Sequence, residues 1–254
     1  LKITLLEELE EVNVINLFRT EVYKLFISKS FWLVFIMSTL FGITMTSDSH
    51  TFITGYENIG VSFYYACLLM VFPILLGAIS FGNDFGDRTI NNGVCAGHSR
   101  FQIFICKVSA YFIGVNLVIL FSPIVNVILN IILHRYTTVY FMNEGNILAK
   151  TIITTSLLGM AMSSVSIFIA FMFRDIGKTV GISVGIYFIN ISLLNSTNDI
   201  RTTIFRYLPL AQARLILYRP LIPNQFKDAV LIGICIILFF LSISYFLFKK
   251  AELR

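Results

Sequence analysis

Residues 109–133 read Ser-Ala-Tyr-Phe-Ile-Gly-Val-Asn-Leu-Val-Ile-Leu-Phe-Ser-Pro-Ile-Val-Asn-Val-Ile-Leu-Asn-Ile-Ile-Leu, without one Asp, Glu, Lys or Arg. A helix that crosses the hydrocarbon of a bilayer needs about 20 mostly apolar residues, because its backbone polar groups must be satisfied within the segment. This stretch meets that requirement and is predicted to be a transmembrane helix. Working outward, 28–46, 59–81, 151–173, 179–194 and 229–248 meet it with varying ease, 179–194 being the shortest.

The whole chain agrees with that reading. Of its 254 residues, 57% are hydrophobic and 13% charged, with a mean hydropathy of +0.83. No soluble globule of this size hides so much apolar surface. The 25 Phe suit lipid-facing helices, while Tyr and the single Trp, Trp32, suit interfaces where an amphipathic ring is favoured. The formal charge of +5 fits cytoplasmic flanks near anionic lipid, since no dense Lys/Arg run with interleaved aromatics points to nucleic acid. Cys67, Cys95, Cys106 and Cys235 are scattered without a C-x-x-C pair, so neither a disulfide framework nor a metal site is implied. No short apolar core followed by a small-residue cleavage site stands near residue 1, and no cleaved signal peptide is expected.

Two polar regions flank the spans. Near the start, Leu17, Phe18, Val22, Leu25 and Phe26 share one helical face while Arg19, Thr20 and Lys24 share another, which predicts an in-plane amphipathic helix over 1–27. Between spans five and six, segment 195–228 places Ile200, Ile204, Phe205, Leu208, Ala211 and Leu215 at helical spacing, with Pro209 as a break and the arginines mostly on other faces. Short interfacial or re-entrant helices are predicted there. The expected fold is thus an all-α polytopic membrane protein of one domain: six transmembrane helices, an N-terminal in-plane helix and short external helices before the last span.

Orientation follows from Lys and Arg in short loops. Arg19, Lys24, Lys29, Arg88, Arg100, Lys107, Arg174, Lys178, Lys249, Lys250 and Arg254 fall on one side, while the first opposite connection, 47–58, has none. Both termini are therefore assigned to the cytoplasm. Segment 195–228 conflicts, since it carries Arg201, Arg206, Arg214, Arg219 and Lys227 on the outside.

Several chemistries lack their residues. No G-x-x-x-x-G-K-[ST] loop is present to hold nucleotide phosphates. His50, His98 and His134 lie far apart, and no H-E-x-x-H pair could seat zinc. Glu7, Glu8, Glu10 and Glu11 read as a solvated helix face. The spans hold almost no charge, whereas proton relays and intramembrane hydrolases place Asp, Glu or His at membrane depth. In the third span Asn116, Pro123, Asn126 and Asn130 lie roughly along one face, beside Ser122; they either tie helices together or line a path. Gly181 and Gly185 form a G-x-x-x-G that would allow close helix approach.

The polar block between the second and third spans, 83–107, contains Thr-Ile-Asn-Asn-Gly at 89–93, then Gly-His-Ser-Arg at 97–100 and Lys107. With the amphipathic start, six spans and the helical loop before the last of them, the layout resembles the permease subunit of ABC-2 type transporters. In texture it is similar to the small bacterial permeases of peptide export and self-protection: lantibiotic immunity, bacitracin resistance and phenol-soluble-modulin export. The resemblance implies that 83–107 is a cytoplasmic coupling loop docking on a separate ATP-binding subunit. Thr89, Ile90, Asn91, Asn92, Gly93, Val94 and His98 would be the coupling element, with Arg100 and Lys107 at its exit. Many members carry Gly-Thr where this chain has Arg88-Thr89. It further implies a non-catalytic chain with no cofactor of its own, ATP and Mg in the partner, and a second permease copy, identical or related. The setting would be the bacterial plasma membrane, with membrane lipid and no nucleic acid as partners. Cargo would be amphipathic or antimicrobial peptides or lipid-like molecules. The rival readings are an autonomous channel or scaffold and an intramembrane hydrolase.

Overall fold

The computed structural model describes residues 2–47, 55–86, 95, 97–134, 139–196, 204–217 and 224–250, with side chains over 14–44, 62–85, 95, 97–128, 148–196, 204–217 and 224–250. Described residues are 93% helical and include no strand. In chain order the helices are α1 (Lys2–Ile27), α2 (Lys29–Ser47), α3 (Gly55–Leu68), α4 (Val71–Gly86), α5 (Arg100–His134), α6 (Val139–Phe173), α7 (Ile176–Ser196), α8 (Pro209–Leu215) and α9 (Gln225–Lys250), with a 3-10 turn at Ile204–Tyr207 before α8.

Five segments are long and apolar enough to cross a membrane: Ser62–Phe85, Arg100–Ile128, Leu148–Phe173, Ile176–Ser196 and Gln225–Lys250. The count reaches six if Val14–Ile27 and Lys29–Thr44, which meet at 60°, form one bent span. At that bend the helical ladder breaks around Ser28, and Trp32 Nε1–H donates to the carbonyl of Phe26 at 2.7 Å, satisfying an acceptor that the break would otherwise leave open. On α1, Leu25 is buried and Leu17, Phe18 and Val22 are half-buried, while Arg19, Thr20, Lys24 and also Phe26 are exposed.

Helix α6 is the hub, packing on α3, α4, α5, α7, α8 and α9. Its buried residues include the small Gly159, Ala161, Ser163, Ser164, Ser166 and Ala170 beside larger ones such as Leu158 and Ile167, and the small ones let neighbouring helices come close. Gly233 of α9 is pressed by Leu157 of α6, whose Cδ2 would lie 2.8 Å from an added Cβ. Helices α7 and α9 lie at the perimeter, with 17% and 11% of their most apolar windows buried. One end of the bundle gathers the end of α4, the starts of α5 and α7 and the end of α9. There Gly82 abuts Ile176 and the Phe104 and Phe248 rings stack at 6.3 Å. The other end gathers Tyr64 of α3, Asn195 of α7, all of α8 and the start of α9.

Three departures from the sequence reading have local causes. Helix α5 begins at Arg100 rather than 109, because Ser99 and Gln102 form a reciprocal capping box: Gln102 N–H donates to Ser99 Oγ at 3.2 Å, and Ser99 N–H to Gln102 Oε1 at 3.0 Å. The stretch predicted as one helix over 59–81 is interrupted at Leu69–Met70. Pro73 lacks the N–H that would pair with the Leu69 carbonyl, and its ring crowds that carbonyl. The turn is instead closed by Phe72 N–H to Leu69 O at 3.0 Å. Thirdly, all seven residues of α8 are buried, Arg214 among them, which departs from the interfacial alternative and not from the re-entrant one. The expectation that the arginines of this segment lie mostly on other faces is corrected at Arg214, which is 6% exposed.

Candidate functional site

At the end of the bundle that gathers α4 and α5, three helices bring charge together. Lys107 of α5 pairs with Asp84 of α4, and its Nζ lies 3.8 Å from Glu21 Oε2 of α1. Glu21 Oε1 accepts from Lys24 Nζ at 2.6 Å, one turn further along α1. The Lys107, Asp84 and Glu21 side chains are 12%, 16% and 13% exposed, so the group is largely removed from solvent. Burial of this kind is tolerable only when opposite charges meet. The Lys107 ammonium also sits 5.5 Å from the centre of the Phe81 ring. Beside the group opens a cavity of about 160 Å³, whose walls add Ser28, Ser80, Asn83 and Tyr111.

Asp84 and Lys107 flank the predicted coupling segment, one before it and one after it. Their ion pair therefore closes that segment at its base and ties the closure to α1. Thr89, Ile90, Asn91, Asn92, Gly93 and Val94, with Arg88, lie outside the described residues. Gly97 takes φ +87°, in the left-handed region that favours glycine, and turns the chain into the Ser99 cap. His98 is half-buried. Arg100 donates from Nη1 to the Lys249 carbonyl at 2.7 Å, binding the start of α5 to the C-terminal turn of α9. Between α6 and α7, Arg174 (φ 52°) ends one helix, and Asp175 Oδ1 accepts from Lys178 N–H at 2.8 Å to cap the next.

The asparagine series is spent on neighbours where it is described. Asn116 Oδ1 accepts from Ser156 of α6, and its Nδ2 donates to the Phe112 carbonyl at 2.9 Å. Asn126 Nδ2 donates to the Gly42 carbonyl of α2 at 3.2 Å. The side chain of Asn130 lies outside the described residues. Gly181 and Gly185 face open space, with nothing among the described residues within 4 Å of an added Cβ.

Sequence reasoning did not anticipate the middle of the bundle. The break before Pro73 leaves the Leu68 carbonyl without its helical donor, since Phe72 N–H turns to Leu69 O; one tyrosine meets that carbonyl and a second meets the first turn of α4. Tyr187 of α7 donates to the Leu68 carbonyl, with the Cys67 carbonyl 3.5 Å away, and Tyr111 of α5 donates to the Pro73 carbonyl at 2.7 Å. Tyr111 and Tyr187 are each 2% exposed. Irregular backbone at membrane depth is stable only when protein supplies such partners. Pro73 was the available signal for the break; nothing local foretold which residues would bridge it. Nor could the Glu21–Lys107–Asp84 meeting be read from residues so far apart in sequence. Among the described residues no three His, Cys, Asp or Glu side chains are placed to hold a metal.

No protein-family model matches the chain, and no curated protein matches it.

Proposed function

We propose that this chain is the transmembrane subunit of an ATP-driven exporter of the ABC-2 type. Its cargo would be amphipathic or antimicrobial peptides or lipid-like molecules, and ATP and Mg would be bound by a separate subunit. The observation that carries this reading is the closure of segment 85–106 by the Asp84–Lys107 pair and its link to α1 through Glu21. A loop gripped at its base by both flanking helices passes a push from a docked motor into the bundle. A freely hinged loop would absorb it.

On this reading the charged end faces the cytoplasm with both termini, α1 lies along the inner interface, and a second permease copy completes the pathway in the bacterial plasma membrane. One of the arginines that conflict with this orientation is paired within the chain: Arg206 Nη2 lies 3.5 Å from Asp228 Oδ2. It counts for less as free positive charge in that loop.

The test is co-purification in mild detergent from the native membrane. A P-loop ATPase should be retained with the wild-type chain and lost with Arg88→Glu. Absence of any ATPase from the wild-type preparation refutes the proposal. In cells, Asn198→Cys should react with an impermeant thiol reagent and Asn92→Cys should not, read in a background without Cys95 and Cys235. The reverse pattern would invert the orientation.

A further inference from the structure

Arg214 holds a positive charge at the second end of the bundle, away from the Lys107 group. It is 6% exposed, and its Nε has no hydrogen-bond acceptor. What touches the guanidinium is neutral: Nη1 donates to Asn195 Oδ1 at 2.8 Å, and Cζ lies 5.5 Å from the centre of the Tyr64 ring. Among the described residues no carboxylate pairs with it. A buried guanidinium without a counter-charge is costly, and an ionisable group among membrane helices marks a functional site by default.

The surroundings say what would supply the charge. Nε is enclosed, so an oxyanion makes the planar two-pronged contact of arginine with carboxylate and phosphate, at Nε–H and the adjacent Nη2–H, only by displacing a neighbouring side chain. Both residues that touch the guanidinium, Asn195 and Tyr64, are themselves exposed on the sides of α7 and α3. A ligand would therefore enter past Asn195 and Tyr64, between α7 and α3. Nearby Ile204 and Tyr207 are also exposed, 77% and 58%, which suits the headgroup level where aromatic and apolar side chains meet phosphates.

We infer that Arg214, between α3 and α7, is a binding site for the phosphate of an anionic lipid headgroup. This rests on the chain lying in a membrane and is independent of its being an exporter subunit.

The test compares melting temperatures of the purified full chain in phosphatidylcholine nanodiscs with and without one third phosphatidylglycerol. Native mass spectrometry counts the phosphatidylglycerol retained. For the wild type, the anionic lipid should raise the melting temperature by about 5 °C and leave one molecule bound. Arg214→Gln should lose both effects, whereas Lys227→Gln, an exposed lysine at the same end, should keep them. If Arg214→Gln does not fold, Asn195→Asp decides. It supplies a carboxylate to the guanidinium, so stability in pure phosphatidylcholine should rise and the gain from phosphatidylglycerol should vanish. Equal stability of the wild type in both discs, or an undiminished gain in Asn195→Asp, overturns the inference. So does a gain produced only by an amphipathic peptide with a free C-terminal carboxylate and not by its amide, which would reassign the site to peptide.

Discussion

Replacing Lys107 with methionine removes the cation between two carboxylates while keeping most of its apolar stem. At 3.8 Å, the Lys107–Glu21 separation, one pair of charges is worth roughly 4 kcal/mol at an effective dielectric near 20, before desolvation is subtracted. Taking one partner from a buried ion pair costs about 3–5 kcal/mol. Here Lys24 still holds Glu21 at 2.6 Å and some solvent reaches both acids, so the lower end applies, about 3 kcal/mol. For a chain of this size that is a fall of about 6–12 °C in melting temperature. Removing both ends with Asp84→Asn and Lys107→Met takes away the imbalance as well as the attraction. The double variant should recover about 2 kcal/mol relative to Lys107→Met alone. The assay uses the detergent-solubilised chain with Cys95, Cys106 and Cys235 replaced. A fluorogenic maleimide then reads unfolding at Cys67, which is 1% exposed and lies beside the break in the middle of the bundle. A Lys107→Met melting point within about 1 °C of the parent, or a double variant no more stable than the single, would refute the argument that this group is held by mutual charge.

Other expectations follow from the same packing. Tyr187→Phe leaves the carbonyl of Leu68 without its donor at membrane depth, so the chain should lose about 1–3 kcal/mol in the same thermal assay. Gly77→Val should lose about 1–3 kcal/mol or fail to fold, because an added side chain meets the Tyr111 ring and Ser166. Gly181→Val, facing open space, should leave the melting point of the monomer unchanged, and any effect should show only in the assembly state on native gels. Gln102→Ala removes half of the capping box and should cost about 1 kcal/mol, with faster amide exchange confined to the first turn of α5.

Length and apolarity alone carried the class of the molecule and the position of most of its spans, because the membrane forces every crossing helix to satisfy its own backbone. Helix ends were less legible. The start of α5 was set by Ser99 and Gln102, a signature present in the sequence but hidden by the polar residues around it. Pro73 announced a break that an unbroken apolar run disguised. The site was harder to read, since Glu21, Asp84 and Lys107 come from three helices and only their packing makes them one group. Arg214 illustrates the reverse difficulty: an arginine in a polar loop reads as exposed until α8 is found folded among α3, α6, α7 and α9.

Trp32 holds the Phe26 carbonyl at the corner between α1 and α2 while its own ring is 48% exposed. As the single tryptophan of the chain, it is a built-in fluorophore at the joint where α1 turns through 60° into the first apolar helix. An opening of that corner that draws Trp32 away from Phe26 breaks the indole hydrogen bond. The emission of the unlabelled protein would then report that separation, with neither a dye nor an added residue.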